Sequence, residues 1–244
     1  MSNITDTATD TTTKRAVRLL SIFATFPPYY RHGRENEHLR WLLSLSSLEL
    51  DRVIRFFNAW RPLSRYQPQL LLLLASVFSD AQKQKTIIMG NAVEEGGWTD
   101  GHDPHWALLD DLIVTLGGTP VVLKRSEELM VSFLNGLRRP MSEAYAVGIL
   151  AGIENPALDI SDYFREVVRL TGRSDLLESN LYLSIHVKVE PLHIIDTHEM
   201  ALEYMARGPQ ERAEVLAAFK EVMLFWSEFW NAAFNDLMDI RLAS

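Results

Sequence analysis

The sequence predicts an all-α protein, a single compact bundle of about seven to eight helices. Apolar residues recur at helical spacing almost without interruption from Lys14 to the C-terminus. Only residues 119–123 have the composition of a strand, and they stand isolated between two glycines and the start of a helix. A chain of 244 residues with 47% apolar residues is long enough to bury a substantial core.

Proline, glycine and capping residues divide the chain into its predicted helices. Residues 1–13 are polar and rich in threonine, which predicts a disordered tail before a helical domain at 14–244. The predicted helical segments run over 14–26, 39–57 with a cap at Ser47, 64–95, 103–116, 126–136, 140–154, 161–170, 174–206 and 209–244.

Composition excludes several classes of function. The net charge of −8 and the lack of a dense basic cluster argue against a nucleic-acid partner. The longest apolar run, 70–78, is too short to cross a bilayer, and residues 1–13 lack the apolar core of a signal peptide. We therefore expect a cytoplasmic protein with no membrane partner. The absence of cysteine excludes disulfides and thiolate sites, so any metal must be bound by imidazoles and carboxylates.

The densest chemical signal is the segment 185–193. His186, Glu190 and His193 are spaced i, i+4 and i+7, which puts them within about a 60° arc of one helix face. Three such residues on an otherwise apolar stripe are how helical bundles build metal sites. Asp196 and His198 fall outside the arc, so we expect them in solvent or behind the ligands.

A second candidate site is the segment 91–109. Glu94 and Glu95 end one predicted helix, a glycine-containing turn follows, and His105 begins the next helix. A carboxylate at a helix C-terminus is unfavourable for the helix dipole, which favours a metal role for at least one of the pair. The pattern favours Glu95 and His105 as ligands and leaves Glu94 and His102 as alternatives.

Glu154 is the third candidate metal ligand in the sequence. It follows a helix of small and apolar residues, which predicts that it is buried. A buried carboxylate needs a cation or strong hydrogen bonds. Three carboxylates and three imidazoles suffice for two metal ions with open positions, and such mixed nitrogen and oxygen sites favour iron. The predicted ligands are Glu95, His105, Glu154, His186, Glu190 and His193.

In this order the motifs resemble the haem-oxygenase-like dimetal oxidases, relatives of the thiaminase-type and quinone-biosynthesis helical fold. The family pattern is an acidic pair before a helix-borne His, a lone Glu, and then His-x3-Asp-x2-His. Glu190 departs from this pattern because it replaces the Asp and is longer by one methylene. Some members add a further glutamate from the preceding helix, where this chain offers only Asp80.

The resemblance implies a haem-oxygenase-like fold that binds two Fe(II) ions, with Mn as the other candidate metal, and activates O2 as a bridging peroxide. The implied reactions are N-oxygenation, oxidative C–C cleavage or nitrile formation in natural-product biosynthesis. The implied substrate is a small carboxylic acid, most often an amino acid, and an external reductant is compatible with this chemistry. Trp98 and Trp106 flank the metal loop and favour an aromatic, tryptophan-like substrate, while Lys188, ahead of Lys83 and Lys85, is the candidate partner for its carboxylate.

Two other functions remain open from the sequence. A cofactorless enzyme of the same fold would use the histidines as acid–base groups and would contain no metal. A non-enzymatic helical binding protein would tolerate alanine at His186, Glu190 and His193. The amphipathic helices are also compatible with a homodimer.

Overall fold

The computed structural model describes residues 3–23, 43–98 and 101–238, and every regular element within these ranges is helical. The all-α prediction is confirmed. A 3₁₀ turn at Ser21–Phe23 follows the first helix, and a π-helical turn at Ile88–Ala92 joins the third helix to the fourth. The helices are α1 (Asn3–Leu20), α2 (Leu50–Ala75), α3 (Ala81–Ile87), α4 (Val93–Glu95), α5 (His105–Thr115), α6 (Lys124–Leu137), α7 (Glu143–Glu154), α8 (Ala157–Leu170), α9 (Leu176–Ser179), α10 (Leu181–Met205) and α11 (Pro209–Met238).

Two predicted boundaries differ at the N-terminal side. The sequence predicts a disordered tail up to residue 13, whereas α1 begins at Asn3. Ala16 and Leu20 anchor this helix in a buried cluster, and once a helix is nucleated each further residue costs little to add. The predicted helical residues 24–42 lie outside the described part of the chain, and α2 begins at Leu50 rather than after Ser47.

Asp80 explains why the predicted helix at 64–95 is interrupted. Its side chain accepts hydrogen bonds from the backbone N–H groups of Gln82, at 2.8 Å, and Lys83, at 3.4 Å. These bonds satisfy donors that the start of a helix leaves unpaired, and so α3 begins here. Asp80 therefore caps a helix.

The strand-like residues 119–123 form an extended connection between α5 and α6. The side chain of Asn58 on α2 takes the place of a neighbouring strand. Its amide donates to the carbonyl of Thr119 at 3.2 Å, and its oxygen accepts from the backbone N–H of Val121 at 2.7 Å. The β-like composition thus reflects an extended backbone whose polar groups are paired by a side chain.

Contacts divide the described chain into two compact units. The first comprises residues up to 46 and 144–220, and in it α10 packs against α1 and α8. Helices α7 and α11 approach closely at Gly148, where a Cβ atom would lie 2.3 Å from the carbonyl oxygen of Val215. Phe23 stacks on Phe219 with ring centroids 3.8 Å apart. Because α10 packs against both α1 and α8, it is the central helix of this unit.

The second unit comprises residues 47–143 and the chain from Glu221 onward. Here α2 packs against α5, α6 and the π-helical turn. Arg61 on α2 forms a two-pronged ion pair with Asp110 on α5, at 2.5 and 2.9 Å. A tryptophan cluster of Trp60, Trp226 and Trp230 closes the core, with centroids 5.0–5.9 Å apart. That residues 14–244 act as one domain stays a prediction. No helix in the described ranges is long and apolar enough to cross a membrane.

His198 lies in the core of the first unit rather than in solvent. It is 0% exposed, and its ring stands edge-on to Phe23 at 5.4 Å. Burial among apolar groups lowers the pKa of His198 to about 3, which outweighs the opposing hydrogen bond to the backbone of Ile194. The imidazole is therefore neutral at physiological pH.

This buried imidazole predicts that the protein loses stability as the pH falls below neutrality. An unfolded chain binds a proton on His198 near pH 6.5, but the folded protein resists protonation until about pH 3. Between these values the unfolded state holds more protons, so this stabilisation is complete above about pH 6.5 and declines below it at up to about 1.4 kcal/mol per pH unit. Urea denaturation at several pH values should give a shallower slope for His198→Gln, and equal slopes in both proteins would contradict the assignment.

Candidate metal centre

The structure brings Glu94, Glu95 and His105 together in the second unit, and we call these three residues the loop cluster. Nε2 of His105 lies 2.8 Å from Oε1 of Glu94, and Nδ1 lies 2.9 Å from Oε2 of Glu95. The imidazole therefore has one carboxylate on each ring nitrogen. His105 is 0% exposed and Glu95 is 3% exposed, whereas the Glu94 side chain is 15% exposed, so the cluster is buried except at Glu94.

A tight turn sets the position of His105. Gly97 has φ +62°, and a Cβ atom there would lie 2.3 Å from the backbone nitrogen of Pro104. The backbone approaches itself so closely because glycine has no side chain and tolerates positive φ. Since Glu94 and Glu95 precede this contact and His105 follows it, the turn holds the imidazole beside both carboxylates.

The surroundings of His105 favour its protonated form in the absence of metal. Burial alone would lower the pKa of this imidazole, but the negative charge of Glu95 and the hydrogen bond that the ring donates to Glu94 outweigh it. The pKa of His105 is therefore raised well above its usual value. A metal ion bound here would replace that proton as the positive charge between the carboxylates.

The first unit holds a second group, Glu154, His186, Glu190 and His193, which we call the helix cluster. Nδ1 of His193 lies 3.5 Å from Oε2 of Glu190 and 3.8 Å from Oε2 of Glu154. The other oxygen of Glu190 lies 3.8 Å from Nε2 of His186. Glu190 thus stands between two imidazoles, with one carboxylate oxygen facing each.

Local bonding prepares His186 to act as a ligand. Its Nδ1 lies 2.6 Å from the carbonyl oxygen of Tyr182, one turn earlier on α10. Because a carbonyl only accepts, Nδ1 carries the proton and Nε2 is left as the basic nitrogen facing Glu190. Metal-binding histidines are commonly oriented by such a bond from the nitrogen that does not bind the metal.

The helix cluster fits the ligand requirements of a transition-metal ion, and in the loop cluster each carboxylate separately stands at metal-ligand distance from one nitrogen of His105. Imidazole nitrogen and carboxylate oxygen bind such ions at about 2.0–2.2 Å, so neighbouring ligand atoms on one ion stand about 3.0–3.5 Å apart. The separations of 2.8–2.9 Å in the loop cluster and 3.5–3.8 Å in the helix cluster bracket this range. One ligand atom from each of Glu154, Glu190 and His193 lies within 4.8 Å of the others.

The structure also shows where the alternative metal ligands and the candidate substrate-binding residues lie. Glu94 and Glu95 both contact His105, so the structure keeps the pair rather than choosing one. His102 is further away, with Nε2 4.0 Å from Glu94, and its Nδ1 lies 3.0 Å from the carbonyl oxygen of Asp103. Trp98, Trp106 and Lys188 are all exposed, and their part in substrate binding stays a prediction.

Gln67 on α2 is a residue of the site that the sequence did not suggest. Its amide donates to Oε1 of Glu95 at 3.1 Å, while Oε2 of the same carboxylate faces His105. The contact spans 28 residues of sequence, so no local spacing rule connects the two. The available signal was weak: a glutamine between two prolines of a helix, facing partly inward.

Comparison with known proteins agrees with this chemistry. A family model described as iron-containing redox enzyme matches residues 54–227 of the chain. The chain belongs to this family. The matched range contains every residue of the loop and helix clusters. Family membership makes iron the expected metal and redox chemistry the expected class of reaction, and it confirms the haem-oxygenase-like family expected from the motifs.

Solved structures support the fold. Two crystal structures of a CADD-like protein of unknown function from Nostoc punctiforme are similar to this chain. One has a TM-score of 0.70 at 17% identity and covers 96% of this chain and 100% of that one. The other has a TM-score of 0.62 at 18% identity, covering 97% and 100%. At this identity the likeness establishes the fold, and no curated protein matches the chain.

Proposed function

We propose that the chain is an O2-dependent non-haem di-iron oxidase or oxygenase that acts on a small carboxylic acid, with an amino acid as the favoured substrate. The observation that carries the proposal is the pair of buried carboxylate–imidazole clusters in an iron-containing redox family. Bound Fe(II) would supply the electrons that activate O2. The reactions considered are oxidative C–C cleavage, N-oxygenation and nitrile formation, and an external reductant would return the iron to Fe(II).

The chain's own residues have distinct parts in this scheme. His105 with one of the two carboxylates, Glu94 or Glu95, would hold one iron, and the helix cluster would hold the other. Gln67 orients Glu95 by donating to the oxygen that faces away from His105. The carbonyl of Tyr182 fixes the tautomer of His186. Burial of both clusters excludes bulk water, which strengthens the electrostatic interactions within them.

Iron content tests the proposal directly. The metal-free chain, loaded with Fe(II) without oxygen and then desalted, is expected to retain about two irons, one for each cluster. His105→Ala should retain about one, because its loss leaves the two carboxylates of the loop cluster without a nitrogen ligand. His102→Ala is the matched control and should retain the wild-type amount. A folded wild-type chain that retains no iron would contradict the proposal.

Substrate class needs a separate measurement. The exposed rings of Trp98 and Trp106 support the proposal of an aromatic amino acid. O2 consumption by the iron-loaded protein should then be faster with tryptophan than with aliphatic amino acids or fatty acids. Equal rates with all three classes would contradict the aromatic preference and leave the di-iron proposal standing.

The cofactorless alternative is favoured by one observation. An imidazole between two carboxylates, with a raised pKa, is also an arrangement that acid–base catalysis uses. Metal content separates the two functions, since a cofactorless enzyme would turn over substrate without iron and without consuming O2. The family match to iron-containing redox enzymes is the reason for placing this alternative second.

A further inference from the structure

Asn91 is a buried polar side chain that the arrangement of ligands leaves without a role. It lies in the π-helical turn Ile88–Ala92 and is 1% exposed. Its amide nitrogen Nδ2 has no hydrogen-bond partner among the residues that the structure describes. Burial of an amide without a hydrogen bond costs stability, and such groups in folded proteins commonly have a functional cause.

The backbone places Asn91 on the same helix face as Glu95. Asn91 and Glu95 are both buried and four residues apart, which is close to one full turn whether that turn is α-helical or π-helical. The turn packs against α2, the helix whose Gln67 donates to Glu95. The Asn91 side chain is therefore on the face of this stretch that carries the loop-cluster carboxylate.

The π-helical turn is an independent indication of function. The N–H of Val93 donates to the carbonyl of Ile88, five residues earlier, instead of four as in an α-helix. Such turns are rare, and many of those that occur lie at functional sites. Here the side chains that follow are Glu94 and Glu95, and Asn91 lies within the turn itself.

We infer that Asn91 is a positioning residue whose Nδ2 donates a hydrogen bond to a water ligand of the metal ion in the loop cluster. The inference rests on the proposed function of that cluster as a metal site. In the metal-free protein the described residues offer this buried amide no acceptor. Metal binding brings an oxygen acceptor to the same face, so the amide contributes only to the metal-bound state.

Asn91→Leu tests this, because leucine removes the amide at similar volume. In the metal-free full chain the melting temperature should stay unchanged or rise, since no hydrogen bond is lost. In calorimetric titration with Mn²⁺ alone, one of the two sites should bind about 10- to 100-fold more weakly than in the wild type. Mn²⁺ keeps the readout independent of O2 and of activity.

Asn58→Leu is the matched control. Asn58 is an equally buried asparagine in the same unit, but its amide and its oxygen are both hydrogen-bonded. Its replacement should lower the melting temperature and leave Mn²⁺ affinity unchanged. If Asn91→Leu lowers the melting temperature as much as Asn58→Leu does, Asn91 has a hydrogen-bond partner in the metal-free protein. If Asn91→Leu binds Mn²⁺ with wild-type affinity, the amide has no hydrogen-bond partner in the metal-bound protein. Either result overturns the inference, while a wild-type chain that binds no Mn²⁺ overturns the proposed metal site as well.

Discussion

His193→Ala is expected to remove the iron of the helix cluster. His193 is the central residue of this cluster, because its Nδ1 faces the carboxylates of both Glu190 and Glu154. Without it, two buried carboxylates and the more distant His186 remain, and affinity should fall by more than about a hundredfold. Iron retained after anaerobic loading and desalting should fall from about two per chain to about one or less.

The control for this variant is on the same helix. Lys188 is exposed on α10, whereas the helix cluster is buried, so Lys188→Ala should retain the wild-type iron content. Far-ultraviolet circular dichroism should show that both variants remain helical. Full iron retention by a folded His193→Ala protein would rule out the helix cluster as an iron site.

The helix cluster could be predicted because three of its residues lie close together in the sequence, on a single helix. His186, Glu190 and His193 lie on one helix, where a spacing of three or four residues fixes the shared face whatever the rest of the fold does. The same reasoning fails for His198, which is buried although it lies outside the predicted arc. Its burial comes from Phe23, far away in sequence, and helix periodicity carries no information about that neighbour.

The loop cluster was predictable only as a set of alternatives. Whether His102 or His105 faces the carboxylates depends on how closely the turn after Glu95 closes, and this is a property of backbone geometry. Glu94 and Glu95 face different nitrogens of the His105 ring, so a metal ion on one of these nitrogens has only one of the two carboxylates beside it, and which of them is the ligand stays a prediction. Gln67 and the π-helical turn depend on packing against α2, which local sequence does not encode.

The close approach at Gly97 leads to the second large prediction. An alanine at this position would have two separate defects. Its φ of +62° is unfavourable for any residue with a Cβ atom, at a cost of about 1–2 kcal/mol. The added carbon would also lie 2.3 Å from the nitrogen of Pro104 and 2.6 Å from the carbonyl carbon of Asp103. Both are backbone atoms, which cannot rotate away as a flexible side chain can.

Gly97→Ala is therefore expected to lower the free energy of unfolding by about 2–4 kcal/mol, measured by urea denaturation. It should also weaken Fe(II) binding at the loop cluster, because the turn that holds His105 beside Glu94 and Glu95 opens. Gly117→Ala controls for the backbone alone: φ is +85° with nothing within 4 Å, so stability should fall by about 1–2 kcal/mol with iron binding unchanged. If the two variants lose the same stability and retain the same iron, the contact with Pro104 does not position the site.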